Sequence, residues 1–158
     1  MENIKEQKLT EEQEKNVIVN KVKAGKYLSD EELEKLRQIT YSEDLCDYNS
    51  WRELLERAQI IKKIKEKKEF SECELEELAF ESECGGLFEN NLVEVIKRDD
   101  TRWSKNMTTV LEFDGELYAI DWRKGLTEQQ ENAFYKQPYK VRKTERVITI
   151  TDYERIEE

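Results

Sequence analysis

The chain has 158 residues, of which 41% are charged and 37% hydrophobic, and its formal net charge is −10 with no histidine. The absence of histidine excludes Ser–His and Cys–His nucleophilic sites. The five glycines never take the spacing of a phosphate-binding loop.

The lack of a predicted targeting signal and the cysteine spacing lead us to expect a protein of the cytoplasm. The N-terminal residues are polar, so the sequence predicts neither a signal peptide nor a membrane span. Cys46, Cys73 and Cys84 match no zinc-site spacing. We expect them to be reduced thiols, and we expect no cofactor.

Four capping signals predict four helices in the first half of the chain. In a capping box, a Ser or Thr exchanges hydrogen bonds with a Glu or Gln three positions later at a helix start. Such pairs are Thr10 with Gln13, Ser29 with Glu32, Ser50 with Glu53, and Ser71 with Glu74. Apolar residues follow each pair at helical spacing. The expected helices end at Gly25, at Thr40, within the Lys62–Lys68 run and near Glu83.

The second half of the chain changes to strand periodicity. An Asp114-Gly115 pair, which favours a two-residue hairpin turn, separates two of its apolar runs. The predicted strands are Leu92–Lys97, Thr108–Phe113 and Glu116–Trp122.

Two further elements follow these strands. Thr127 with Gln130 predicts a short helix through Phe134, and Pro138 precedes an extended segment to Tyr153 that is rich in β-branched residues. We therefore expect an α+β fold in which about four helices, in residues 1–86, pack on a small antiparallel sheet in residues 87–158 with one inserted short helix. The two regions are expected to form one compact unit.

The negative charge is concentrated in one stretch of the chain. Residues 1–68 hold 15 Lys and Arg against 15 Asp and Glu, and residues 96–158 hold 12 against 13. Residues 69–95 hold nine glutamates and no basic residue, which gives −9 of the total of −10. Because clustered like charge repels itself and opposes folding, this stretch predicts a surface that meets a basic partner.

Six of these glutamates fall on the fourth predicted helix, in two stripes beside an apolar face of Leu75, Leu78 and Ala79. Six carboxylates over roughly 20 Å of helix give about half the charge density of duplex DNA. The candidate partner-binding residues are Glu72, Glu74, Glu76, Glu77, Phe80, Glu81, Glu83 and Glu89. No catalytic and no metal-binding residue is assigned.

Three interpretations of this acidic stretch stay open from the sequence. The glutamates form a solvated face that the Lys62–Lys68 run neutralises, or they mimic nucleic acid and dock on a basic groove, or they hold a divalent metal. Phe80 leaves a similar choice. It is either buried by the β-rich region or exposed between carboxylates as an interface anchor.

Three other signals point towards nucleic acid. Asp114, Asp121 and Lys124 match the residue types of a metal-dependent nuclease, but the turn explains Asp114 and strand alternation explains Asp121. A helix-turn-helix can be drawn through the first two helices, but its reading helix would begin with Asp30 and two glutamates, which phosphate repels. Basic and aromatic residues mix in Tyr135–Arg146, as in a nucleic-acid-binding segment or in a protected sheet edge.

One stretch of the chain carries a family likeness. Residues Thr109–Tyr153, with FDGELYAIDW, GLTEQQENAFYKQPYKV and ERVITITDYERI, resemble the C-terminal part of small acidic accessory proteins of phages and mobile elements in Gram-positive bacteria. The motif is tied to no known chemistry, so no functional residue carries over. The resemblance implies a phage-encoded protein of the host cytosol, where such proteins are often inhibitors of host defence. Anti-CRISPR proteins are similar in composition, and many present carboxylates to the basic channel of a CRISPR nuclease.

We therefore expect a non-enzymatic inhibitor of a host defence nuclease, of the anti-CRISPR type. Its acidic surface is expected to occupy a basic nucleic-acid-binding groove, with a CRISPR effector nuclease as the expected partner and no direct contact with nucleic acid or membrane. The alternatives are a phage-encoded self-assembling or regulatory accessory protein and, less favoured, a metal-dependent nuclease.

Overall fold

The computed structural model describes residues 10–42 and 48–154. Its four α-helices come first and its antiparallel sheet comes second, which confirms the predicted α+β class. The helices are α1 (Glu11–Lys23), α2 (Asp30–Ser42), α3 (Tyr48–Lys65) and α4 (Glu72–Ala79). The strands are β1 (Leu92–Asp100), β2 (Ser104–Phe113), β3 (Glu116–Gly125) and β4 (Tyr139–Val141).

Capping boxes open three of the helices, as predicted. Reciprocal hydrogen bonds join Thr10 to Gln13, Ser29 to Glu32 and Ser71 to Glu74. The capping box predicted at Ser50 and Glu53 is wrong. Helix α3 already begins at Tyr48, so Ser50 lies inside its first turn and is not the residue that precedes the helix.

Helix α1 ends at Lys23, and Gly25 provides the predicted stop just after it. Gly25 has a φ of 69°, and the N–H of Lys26 donates to the carbonyl of Lys21 at 2.9 Å, closing the last turn. The side chain of Asn91 lies directly against this glycine, and a Cβ there would come within 2.2 Å of its Nδ2 atom. Both the backbone angle and the close approach therefore require glycine.

The strands form one sheet in the order β1-β2-β3-β4, with each neighbouring pair antiparallel. The predicted hairpin is confirmed, because Asp114 and Gly115 have φ angles of 54° and 75°, as a two-residue turn with left-handed geometry requires. Strands β1, β2 and β3 extend beyond their predicted ends by several residues.

The segment after β3 differs from its prediction. Residues 127–130 form a turn, not the start of a helix, and Ala133 exchanges two backbone hydrogen bonds with Arg123 at 2.9 and 3.0 Å. Because this bridge holds the chain alongside β3, its backbone groups are not free to form helical turns. The extended segment after Pro138 forms only the short strand β4, and residues 142–154 have no regular secondary structure.

Two apolar clusters make up the core, and α3 contributes to both. Leu55 and Ala58 of α3 pack with α1 and α2, whereas Ile60, Ile61 and Ile64 pack with α4 and the sheet. The helix thus joins the two clusters through successive turns.

Arg57 ties the two clusters together at the middle of α3. Its guanidinium is buried and donates to the carbonyl oxygens of Val22 and Leu87 and to the side chain of Asn91. The charge lies over the ring of Phe88, 5.1 Å from its centroid. Since it satisfies the carbonyl end of α1 and the loop before the sheet, Arg57 fixes their relative position.

Candidate acidic docking surface

Helix α4 lies on the core face of the sheet. Its buried residues Leu75, Leu78 and Ala79 belong to the cluster that includes the sheet. The hydroxyl of Thr109 in β2 donates to the carbonyl of Ala79 at 2.6 Å, and the indole N–H of Trp122 donates to Thr109 Oγ1 at 3.0 Å. This buried chain of hydrogen bonds fixes the last turn of α4 on the sheet.

The helix is shorter than the sequence predicted, because it ends at Ala79 and not near Glu83. Residues Glu81–Glu83 form a separate 3-10 turn, in which the hydroxyl of Ser82 donates to the carbonyl of Leu78 at 2.8 Å. Eight residues span only about 12 Å. The glutamates therefore lie on a short helix and the turn that follows it, not on one long helical stripe.

Phe80 points towards the sheet. It directly follows Ala79, the last residue of α4, and its half-buried ring meets Trp122 edge-on with centroids 5.7 Å apart. Of the two alternatives for Phe80, packing against the β-rich region fits the structure.

Glu74 is bound within the protein. Its carboxylate accepts from Lys63 of α3 at 2.5 Å and from the Ser71 amide at 2.9 Å. Partial burial opposes ionisation, but Lys63 and Ser71 outweigh it, so the pKa of Glu74 lies below its ordinary value.

Glu77 is also used internally, because it holds the loop that leads to the sheet. Its Oε1 atom accepts from the backbone N–H of Leu87 at 2.8 Å. A Cβ at the neighbouring Gly86 would lie 2.9 Å from that oxygen and 2.7 Å from the carbonyl of Glu81. The absence of a side chain at Gly86 thus permits this contact.

The other five candidate glutamates have no such role. Glu72, Glu83 and Glu89 are exposed, and Glu76 and Glu81 are half-buried at the surface. Throughout residues 10–42 and 48–154, no side-chain hydrogen bond or ion pair engages any of these five carboxylates. We call this set, Glu72, Glu76, Glu81, Glu83 and Glu89, the acidic surface.

Three of the lysines that precede the acidic stretch pair with residues outside it. Lys62 pairs with Asp30, Lys65 with Asp114 and Glu116, and Lys68 with Glu66. Of the nine glutamates in residues 69–95, Glu74 alone has an ion pair in the described part of the chain. Neutralisation by the Lys62–Lys68 run therefore reaches one carboxylate and leaves the rest unneutralised.

The residues considered for a nuclease do not form one site. Asp114 lies in the hairpin turn beside Lys65, and Asp121 lies roughly 20 Å further along the strand, where it accepts from the hydroxyls of Thr108 and Tyr139. Lys124 is three residues beyond Asp121 and so lies on the opposite face of β3.

Two basic residues of Tyr135–Arg146 pair with the sheet, and none in this segment pairs with the acidic stretch in the described part of the chain. Lys136 contacts Asp121 at 3.6 Å, and Lys140 pairs with Glu116. Cys73 and Cys84 are free and exposed, while Cys46 lies outside the described residues. Within residues 10–42 and 48–154, no cluster of potential metal ligands and no helix long and apolar enough to cross a membrane is present.

Comparison with known proteins identifies no relative. No family model matches the chain, and no curated protein or solved structure matches it either.

Sequence reasoning found the charge but missed the internal roles of two candidates. The capping box at Ser71 was a usable signal that Glu74 serves its own helix. No local pattern indicates that Glu77 binds the amide of Leu87, ten residues away.

Proposed function

We propose that the protein is a non-catalytic binding protein whose acidic surface docks on a basic, nucleic-acid-binding groove of another protein. One observation carries this proposal, namely that Lys62, Lys65 and Lys68 pair outside the acidic stretch, and that five candidate carboxylates have no counter-charge in residues 10–42 and 48–154. A cationic groove would supply that counter-charge.

The way α4 is held supports the same proposal. The helix is fixed to the sheet by the Thr109 and Trp122 hydrogen bonds and to α3 by the Lys63–Glu74 pair. A surface that is already rigid loses little conformational freedom on binding, so more of the electrostatic attraction remains as affinity. Glu74 and Glu77 act as positioning residues for the acidic surface.

The identity of the partner follows from the resemblance of residues Thr109–Tyr153 to the small acidic accessory proteins of phages. On that basis the partner is a host defence nuclease, specifically a CRISPR effector, and the protein inhibits it from within the bacterial cytosol. The acidic surface then occupies the channel that holds the PAM duplex or the guide–target heteroduplex. The first resembling segment, FDGELYAIDW, lies in the β2–β3 hairpin of the sheet that packs against α4.

Two measurements test this function. A pull-down from host lysate, with and without nuclease treatment, is expected to recover the same protein partner in both cases, because the contact does not need nucleic acid. Titration of that partner is expected to reach full inhibition at about one-to-one stoichiometry, as site occupancy without turnover requires. Loss of the partner after nuclease treatment, or full effect at trace amounts, would contradict the proposal.

A further inference from the structure

The C-terminal residues after β4 form an apolar arm without a partner. In residues 144–154, which we call the arm, no residue makes a hydrogen bond or an ion pair. Val147 is 100% exposed, Ile148 and Ile150 are each 77% exposed, and Tyr153 is 95% exposed. Because the arm is rich in β-branched residues, it favours a β-strand, yet no other strand of the described structure pairs with it.

The topology explains why the arm finds no strand in its own sheet. Strand β4 runs antiparallel to β3 and pairs Tyr139–Val141 with Leu117–Ala119. Strand β3 begins at Glu116, one residue before Leu117, and the hairpin turn precedes it. The chain after Val141 therefore passes the start of β3 with nothing left to pair with.

The sequence of the arm is complementary to itself in the antiparallel sense. In a strand, Arg146, Ile148, Ile150 and Asp152 share one face, since side chains alternate. When two copies are aligned antiparallel about Thr149, Arg146 of each copy faces Asp152 of the other. Ile148 likewise faces Ile150. The centre is apolar, and both ends carry opposite charges.

We propose that the arm pairs with the arm of a second copy as an antiparallel two-stranded ribbon, with the two-fold axis at Thr149. Such an interface is isologous, so each contact occurs twice. The ribbon continues from β4 of each copy and thereby links the two sheets. This interface is distinct from the acidic surface, so either proposal can fail without the other.

The exposed edge of β1 is a poorer partner for the arm. Antiparallel addition there matches Ile96 with Ile148 only by placing Arg98 opposite Arg146. Matching Ile96 with Ile150 instead places Glu94 opposite Asp152. Like charges directly opposite each other destabilise a strand pair, so charge complementarity favours the second arm.

Sedimentation of charge-swapped variants tests the proposal. The parent protein is expected to show a concentration-dependent monomer–dimer equilibrium. Arg146→Asp or Asp152→Arg alone places like charges opposite each other at both ends, and each is expected to weaken the dimer by about tenfold or more. The double variant, and an equimolar mixture of the two single variants, are expected to dimerise again because each restores opposite charges.

The rescue by mixing distinguishes this arrangement from a general effect of charge. A monomer at all concentrations would overturn the proposal and assign the arm to another occupant. If both single variants dimerise as strongly as the parent, the interface lies elsewhere and the proposal is overturned.

A cross-link at the axis tests the register independently. In a background with the three native cysteines changed to Ser, Thr149→Cys is expected to form a disulfide-linked dimer under mild oxidation. Residues directly opposite each other lie about 4.5–5.5 Å apart at Cβ, close to what a disulfide requires. Thr151→Cys is the matched control, because it faces Val147 and is expected to remain uncoupled. Equal cross-linking of both variants would contradict the register.

Discussion

Lys63 of α3 holds Glu74 of α4 at 2.5 Å, and this is the one ion pair that joins the acidic stretch of residues 69–95 to a basic residue in the described structure. The contact fixes one side of α4 against the helical layer. The carboxylates on the other side, Glu72 and Glu76, have no partner of this kind among residues 10–42 and 48–154. The acidic stretch therefore contains two groups of glutamates, one structural and one available for docking.

Single substitutions are expected to separate these two groups. Glu74→Ala removes the capping-box acceptor and the partner of Lys63, so the free energy of unfolding is expected to fall by about 1 kcal/mol. Glu76→Ala is its matched control and is expected to change the stability by less than about 0.5 kcal/mol. Urea denaturation of both variants measures the difference. Equal effects would contradict the distinct role of Glu74.

Glu116 gives the protein an acid-sensitive contact. Its carboxylate accepts from Lys140, Lys65 and Tyr118, in that order of influence, and these contacts lower its pKa from 4.5 to about 2. A depressed carboxyl pKa stabilises the fold above the unfolded pKa, and this contribution is lost as the pH falls towards the folded pKa. Stability is therefore expected to decline between about pH 4.5 and about pH 2. Thermal melts across this pH range are expected to show a smaller loss of stability for Glu116→Gln than for the parent. An equal loss in both proteins would contradict the role of Glu116.

Much of the fold follows from local sequence, whereas the contacts that assemble it do not. Capping boxes and the Asp114-Gly115 turn involve neighbouring residues, so they are readable and were confirmed. Arg57 contacts Val22 and Leu87 across gaps of 35 and 30 residues, which no local pattern encodes. The short helix expected from Thr127 was wrong because tertiary pairing overrode a local signal.

The candidate site shows the same division. The concentration of glutamates in residues 69–95 is visible in the sequence. Among the described residues, Glu74 is the only one of these glutamates that forms an ion pair. The sequence left two positions open for Phe80, and the contact of its ring with Trp122 in the sheet fits burial by the β-rich region. Which glutamates serve the fold depends on where Lys63 and Leu87 lie in three dimensions.

Phe80 is expected to contribute mainly to stability. Its ring is half-buried against Trp122, so Phe80→Ala is expected to cost about 2–3 kcal/mol, less than the ~3–5 kcal/mol of a fully buried phenylalanine. Thermal or urea unfolding measures the loss. A variant of parental stability that no longer binds the partner would instead identify Phe80 as an exposed anchor.

Thr109 is expected to be required for anchoring α4. Thr109→Val keeps the shape of the side chain but leaves the indole N–H of Trp122 and the carbonyl of Ala79 without their partner. A buried group that loses its hydrogen bond costs about 1–3 kcal/mol. Thr108→Val is a control on the same strand, since Thr108 donates on the other face to Asp121. Hydrogen exchange is expected to increase in α4 for Thr109→Val but not for Thr108→Val.

The central claim is that the five unneutralised carboxylates form the docking surface, and paired charge reversals test it most directly. Glu72→Lys, Glu76→Lys and Glu83→Lys are combined in one variant. Glu56→Lys, Glu128→Lys and Glu131→Lys, at exposed positions outside the acidic stretch, form a control with the same change in net charge.

The dissociation constant for the captured partner is measured for both variants over a range of salt concentrations. The acidic-surface variant is expected to lose about a hundredfold or more in affinity and most of its salt dependence, since screening acts on the docking charges. The control is expected to bind within about threefold of the parent, because charges far from the contact are largely screened. Equal loss in both variants would mean that only net charge matters, and full affinity in the acidic-surface variant would mean that these carboxylates are not the docking surface.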